Sequence, residues 1–192
     1  MSDWKDRLLN TVEIILEKQD PCPELSAYHD MPYAIFRYPP EDEFEARSEI
    51  SMLKTRLEKL GKRVTIISLA ECLQSAMEAE NMSVSDLETA ETSIGIEPTI
   101  ETINQVLSEY QKLDDVVAAR LPENSDRCKD IVFITRAGAL YPAYRTSSLL
   151  EQLQGKLNVP AILFYPGELD GPSGLSFMGE MDPVHNYRPR IF

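Results

Sequence analysis

The sequence predicts an α/β fold, with one three-layer domain over residues 1–192. Long helices cover both faces of a mostly parallel sheet of four to five strands, in the flavodoxin-like and Rossmann-like manner. Three observations predict it. Residues 131–135 and 161–165 are short, continuously apolar and rich in β-branched or aromatic side chains, as strands covered on both faces must be, and a helical pattern separates them. Residues 33–38 and 64–69 bracket a second helical pattern in the same way. At 192 residues and 43% apolar, the chain can bury one substantial core, and no Gly/Ser-rich or repetitive stretch marks a linker.

From Trp4 to Gln19, Leu8, Leu9, Val12, Ile15 and Leu16 fall on one helical face, and Asp20-Pro21-Cys22-Pro23 ends that helix, which packs on the body. Met31-Pro32 opens the first strand, Tyr33 to Tyr38, and Pro39-Pro40 stops it. Glu41-Asp42-Glu43 then stands where a helix N-terminus favours negative charge. Ile50, Leu53, Leu57 and Leu60 mark the following helix, and Gly61 ends it. Val64 to Leu69 is the second strand, and a helical excursion over residues 70–121 follows. Its first helix runs over 69–79, residues 81–95 are acidic and Ser/Thr-rich with a short helix or an irregular path, and a long amphipathic helix runs from near Pro98 to before Pro122. The stripe Ile100, Ile103, Leu107, Tyr110, Leu113, Val117 and Leu121 on that last helix reads as a crossover face on the sheet or as a ledge for another protein. After the strands at 131–135 and 161–165, the turn residues from Gly167 to Gly174 lead into Leu175–Met178, a candidate edge strand. Short connections favour the strand order 2-1-3-4 with the edge strand outermost, which puts the switch point between the first and third strands. The loops from Arg136 to Tyr141 and from Tyr165 to Gly171 would then line the binding crevice.

The net charge is −13 and lies almost wholly in one part of the chain. Residues 127–192 carry seven Lys/Arg and six acids, which leaves −14 for residues 1–126. Such a surface repels phosphate backbones, so direct nucleic-acid binding is disfavoured and a basic protein partner suits it, unless the acid is there only for solubility. No apolar run approaches the roughly 18 residues of a membrane span, and the N-terminus lacks an apolar signal core, so a cytoplasmic protein is expected. Cys22, Cys72 and Cys128 form no C-x-x-C pair and read as reduced thiols. With His29 and His185 they supply too few ligands for a zinc site.

Neither G-x-x-x-x-G-K-[ST] nor G-x-G-x-x-G occurs, and Gly167, Gly171 and Gly174 read as a hairpin turn with Glu168 and Asp170 among them. Ser147 and Ser148 lie inside a helix, and neither histidine has a nucleophile near it in sequence. No catalytic residue and no cofactor are therefore assigned. What remains is an aromatic-arginine set: Arg136, Tyr141, Tyr144 and Arg145 after the third strand, Tyr165 after the fourth with Asp170 beyond it, and Asn186-Tyr187-Arg188 near the end. Arginine forks suit carboxylates and phosphates, and tyrosines give rigid contact area with a polar tip. The set reads as an interaction surface or as a device that pins the C-terminal tail to the sheet edge.

Gly138-Ala-Leu-Tyr-Pro-Ala-Tyr-Arg-Thr-Ser-Ser-Leu-Leu-Glu-Gln-Leu-Gln, Val159-Pro-Ala-Ile-Leu-Phe-Tyr-Pro-Gly-Glu-Leu-Asp-Gly, Leu175-Ser-Phe-Met-Gly and Asn186-Tyr-Arg together resemble the BrxB family of bacterial BREX phage-defence systems. The resemblance is strongest over residues 130–192, and residues 80–125 match no recognisable pattern. It implies a small accessory component without established catalysis, acting as an adaptor inside a phage-restricting assembly, with the phosphatase-like PglZ component as its partner. Gly138, Tyr141, Pro142, Arg145, Tyr165, Pro166, Gly167 and Asn186 to Arg188 carry over only as structural or binding positions. The competing reading is a degenerate nucleotide- or phosphate-binding enzyme or regulator that uses Arg136, Arg145 and Arg188 at the sheet's C-terminal edge.

Overall fold

A computed structural model describes residues 3–26, 31–171, 174–180 and 189–192. It contains a six-stranded sheet with helices on both faces, so the α/β expectation holds. The strands are β1 (Tyr33–Tyr38), β2 (Arg63–Ser68), β3 (Asp130–Thr135), β4 (Ala161–Asp170), β5 (Gly174–Phe177) and β6 (Arg190–Ile191). Their order is β2-β3-β4-β1-β6, parallel throughout, and β5 pairs antiparallel with the far half of β4.

One face carries α1, a continuous helix made of Asp3–Arg7, a wide π-helical stretch Leu8–Glu13 and Ile14–Glu17, followed by the single turn α2 (Cys22–Leu25). The same face carries α3 (Glu43–Lys59), which joins β1 to β2. Trp4, Leu8, Val12 and Leu16 of α1 and Ile50, Leu53 and Leu57 of α3 bury against Phe36, Phe133, Ile162 and Phe164 of the sheet. A bidentate pair from Arg56 to Glu13, at 2.6 and 2.9 Å, ties the two helices together. The opposite face carries α4 (Leu69–Ala79), α6 (Ile96–Gln105, continuing as the π-helical Val106–Tyr110), α7 (Leu113–Ala118) and α8 (Thr146–Gln152). Ile35, Val132, Ile134 and Leu163 are their buried counterparts. Strands covered on both sides require continuously apolar sequence, which is what 131–135 and 161–165 supply.

Three expectations change, and one open reading is resolved in favour of a helix. The order 2-1-3-4 is wrong, because β1 lies between β4 and β6, with β3 and β4 separating it from β2. The burial of the strands explains this: β1 is covered on both faces, whereas β2 leaves Arg63 and Ile66 open to solvent as an edge strand does. Length of connection says little about how many strands it skips, and the 17-residue α3 makes the longer crossing. The fourth strand does not stop at Tyr165 but continues to Asp170 as the arm of a hairpin, so residues 166–170 are strand instead of crevice loop. The long helix expected to end before Pro122 breaks at Gln111, whose N–H still reaches the Val106 carbonyl at 2.8 Å. The break turns Leu113 and Val117 into the core and leaves Tyr110, placed on the apolar stripe, 60% exposed. Finally, residues 84–94 form a regular helix, α5 (Val84–Ile94), opened by a reciprocal capping box between Ser83 and Asp86.

The edge of the sheet is locked by charge as well as by packing. Arg63 of β2 faces Asp130 of β3 directly across the register and grips it with two hydrogen bonds of 2.7 and 2.6 Å, and the Asp126 N–H adds a third at 2.7 Å. Burial alone would raise the Asp130 carboxyl; the Arg63 fork and the Asp126 amide outweigh it and hold the group below the usual carboxylate range. A depressed folded value means that this contribution is present above the unfolded carboxyl pKa and is lost as pH falls through the folded one. Arg63→Ala should therefore melt at a lower temperature than the parent near pH 7, with the gap closing as pH drops below about 4. A gap independent of pH, measured by thermal denaturation between pH 7 and 3, would rule out this coupling.

Candidate functional site

The chain leaving β1 turns to one face of the sheet as α3, while the chain leaving β3, on the other side of β4, turns to the opposite face as α8. This divergence is the switch point at which open parallel sheets leave a crevice beyond the carboxyl ends of their strands. A crevice of about 240 Å³ lies there, lined by Pro40, Glu43 and Arg47 after β1, Arg136, Gly138 and Ala139 after β3, and Pro166 and Met178 from the β4–β5 hairpin.

Its charged groups are unequal. The Glu43 carboxylate accepts from the buried Tyr38 hydroxyl and from Arg47 Nε at 2.8 Å, so Arg47 is committed to it. Burial, followed by the nearby Glu43 charge, pushes the Tyr38 phenol far above its ordinary range, so it stays a donor. Arg136 makes no hydrogen bond or ion pair to a described residue, and its Nε is buried without an acceptor. Its backbone is left-handed, with φ 59° and ψ 38°, at the junction of β3 with the short 3-10 turn Ala137–Leu140. A non-glycine residue in that region costs about 1–2 kcal/mol, and a buried N–H without an acceptor costs about 1–3 kcal/mol. Both costs fall on one residue.

The aromatic-arginine set is divided among three places. Arg136 lines the crevice. Tyr141, joined to Pro142 by a cis peptide bond, and the fully buried Tyr165 pack edgewise and tilted against Phe177 of β5, with ring centroids 6.1 and 5.3 Å away. Tyr144 and Arg145 line a separate polar cleft of about 380 Å³ between α6 and α8. There Tyr144 donates to Gln152 Oε1 at 3.0 Å, and burial, with Asp114 second, pushes its phenol up to about 12. Asp170 ends the β4 arm opposite Gly174 and is exposed. Asn186, Tyr187 and Arg188, together with His29 and His185, lie outside the described residues. Further on, Arg190–Ile191 pairs with β1, and the Arg37 N–H reaches the Phe192 carbonyl at 3.1 Å.

Sequence reasoning missed Glu43, Arg47 and Phe177. Glu43 and Arg47, spaced i,i+4 on one helix face, were readable as a pair. Nothing local placed them opposite Arg136, since that depends on the strand order. Phe177 carries an edge-strand signal and no sign that two tyrosines converge on it.

Among the described residues no group of three or more His, Cys, Asp or Glu is arranged to hold a metal ion. Cys22, Cys72 and Cys128 are unpaired, and burial raises the Cys22 thiol to about 11, away from the thiolate a nucleophile needs. No helix of the described residues is long and apolar enough to cross a membrane.

The family model for "BREX protein BrxB" matches residues 65–191, two-thirds of the chain, from β2 through β6. The chain belongs to the BrxB family. A curated BrxB family relative, the BREX protein BrxB of Bacillus cereus (strain H3081.97), is 26% identical over 164 residues, covering 83% of this chain and 82% of that one. No solved structure matches. The BrxB family match takes in Arg136 and the β4–β5 hairpin, while Pro40, Glu43 and Arg47 lie before it, so the crevice joins the matched region to the chain preceding it.

Gly167 is the position in this region least open to change. A Cβ there would stand 2.2 Å from the Ser176 carbonyl and 2.5 Å from the Tyr165 ring, both fixed by the β4–β5 pairing. Gly167→Ala should cost about 1–3 kcal/mol of stability by forcing the hairpin and the Tyr165–Phe177 contact apart. An unchanged denaturant midpoint would show that the hairpin accommodates the methyl group.

Proposed function

We propose that this chain is a non-enzymatic accessory subunit of a BREX phage-restriction assembly, working as an adaptor through protein–protein contacts, with the phosphatase-like PglZ component as its first partner. BrxB family membership supports the setting. The observation that carries the adaptor reading is helix α5. It has no fully buried residue: Leu87 alone of its large apolar side chains packs part-buried against the core, Val84 and Ile94 stay exposed, and a capping box opens the helix. It ends at Gly95, φ 96°, with Ile94 58% and Ile96 59% exposed on either side. From Val64 to Gln111 the chain has nine carboxylates and no lysine or arginine. An acidic hairpin with an apolar tip fits a basic protein surface that offers an apolar pocket; apolar anchors supply affinity and charge supplies steering.

The nucleotide-binding reading fares less well. The crevice is smaller than the roughly 300–1,000 Å³ of small-molecule sites, and Arg145 stands in a different cleft.

Purified wild-type protein should co-elute with the PglZ component of its own system at micromolar concentration in low salt, and association should slow as ionic strength rises. Replacing Ile94 and Ile96 together by serine should weaken the complex about tenfold or more while leaving the melting temperature near the parent value. The absence of any complex under those conditions would contradict the PglZ assignment.

A further inference from the structure

We infer that the switch-point crevice is a carboxylate-binding subsite, with Arg136 as the group that takes the anion. The inference is independent of which protein this chain meets.

The charge balance selects the ligand. Arg47 and Glu43 neutralise one another across 2.8 Å, and the Tyr38 hydroxyl occupies a further acceptor position of the same carboxylate. One cation is therefore left over, Arg136, with no hydrogen-bond partner among the described residues. Arg7 and Arg37 also carry a buried N–H without an acceptor among the described residues, but neither lines the crevice, and Arg7 donates to Asp3 at 3.1 Å. A single guanidinium matches a single carboxylate in charge and in its two-pronged geometry. A phosphate dianion would bring a second negative charge beside Glu43.

The walls select what is attached to the carboxylate. Pro40, Ala139, Pro166 and Met178 present mostly apolar surface, and about 240 Å³ accommodates one medium-sized apolar residue or a short branched acid. The chemistry recognised is an apolar side chain next to a carboxylate, as in the last residue of a peptide or a small free acid. The left-handed backbone lies at the same position: it ends β3 at Arg136, which lines the crevice.

The test uses the full-length protein, thermal-shift titration and calorimetry. The probes are N-acetyl-leucine, acetyl-Ala-Ala-Leu with a free C-terminus, the same two compounds as C-terminal amides, and inorganic phosphate. Arg136→Gly is the informative variant, because glycine adopts the left-handed conformation without strain, so the variant should melt no lower than the parent. The expected result is a saturable rise in melting temperature with the free acids, absent with the amides, and an affinity at least about tenfold weaker in Arg136→Gly. Response to both free acids identifies a small-acid site, and response to the tripeptide alone identifies a peptide terminus; either supports the inference. Equal response to acid and amide, a shift unchanged in Arg136→Gly, a response to phosphate alone, or none at millimolar concentration overturns it.

Discussion

The aromatic ladder across the sheet is the constraint on which the remaining structure depends. Phe133 of β3 meets Phe164 of β4 edge-on at 5.2 Å, Phe164 meets Phe36 of β1 at 5.8 Å, and Phe36 meets Trp4 of α1 at 6.5 Å. Phe36 and Phe164 are direct partners in the β1–β4 register. Such contacts add about 0.5–1.5 kcal/mol each beyond the area they bury, and here they run in series across three strands and a helix. They hold β1 beside β4, and the indole N–H of Trp4 reaches Asp42 Oδ2 at 2.7 Å, fastening α1 to the turn where the chain leaves β1.

Adjacency of β1 and β4 has a functional consequence, because it brings the start of α3 opposite the loop after β3. With β1 between β2 and β3, Glu43 and Arg47 would not meet Pro166 and Met178, and Arg136 would line a different space. The two distinctive surfaces then lie on different parts of the chain. The crevice is a small concave site with one cation uncommitted among the described residues, and the α5 hairpin is a convex acidic element with an apolar tip. The buried tyrosines serve packing: Tyr144, in the separate cleft, donates to Gln152, and Tyr165 packs tilted against Phe177.

The sequence made the layers legible and the neighbours illegible. Strands 131–135 and 161–165 could be read because burial on both faces removes polar residues, and the helix at 43–59 because its apolar stripe and Gly61 stop are local signals. Strand order depends on contacts between residues more than 100 positions apart, such as Phe36 with Phe164, and no spacing rule encodes them. The break at Gln111 was hidden for a related reason, since a helical period continues through Tyr110 although the backbone turns there to serve Leu113 and Val117. Arg136 was readable as a candidate by residue type and place. Its lack of a counter-charge among the described residues could be known only once Glu43 was seen to be held by Arg47 and Tyr38.

Nuclear Overhauser contacts between β1 and β4 test the central claim most directly. In uniformly labelled protein, the Phe36 ring should show contacts to Phe164, and backbone and side-chain protons of Ala34 and Ile35 should show them to Ile162 and Leu163, in the parallel register described above. Contacts placing Ala34 to Phe36 between the strands at 63–68 and 130–135 would contradict the account, and with it the crevice that the β1–β4 pairing creates.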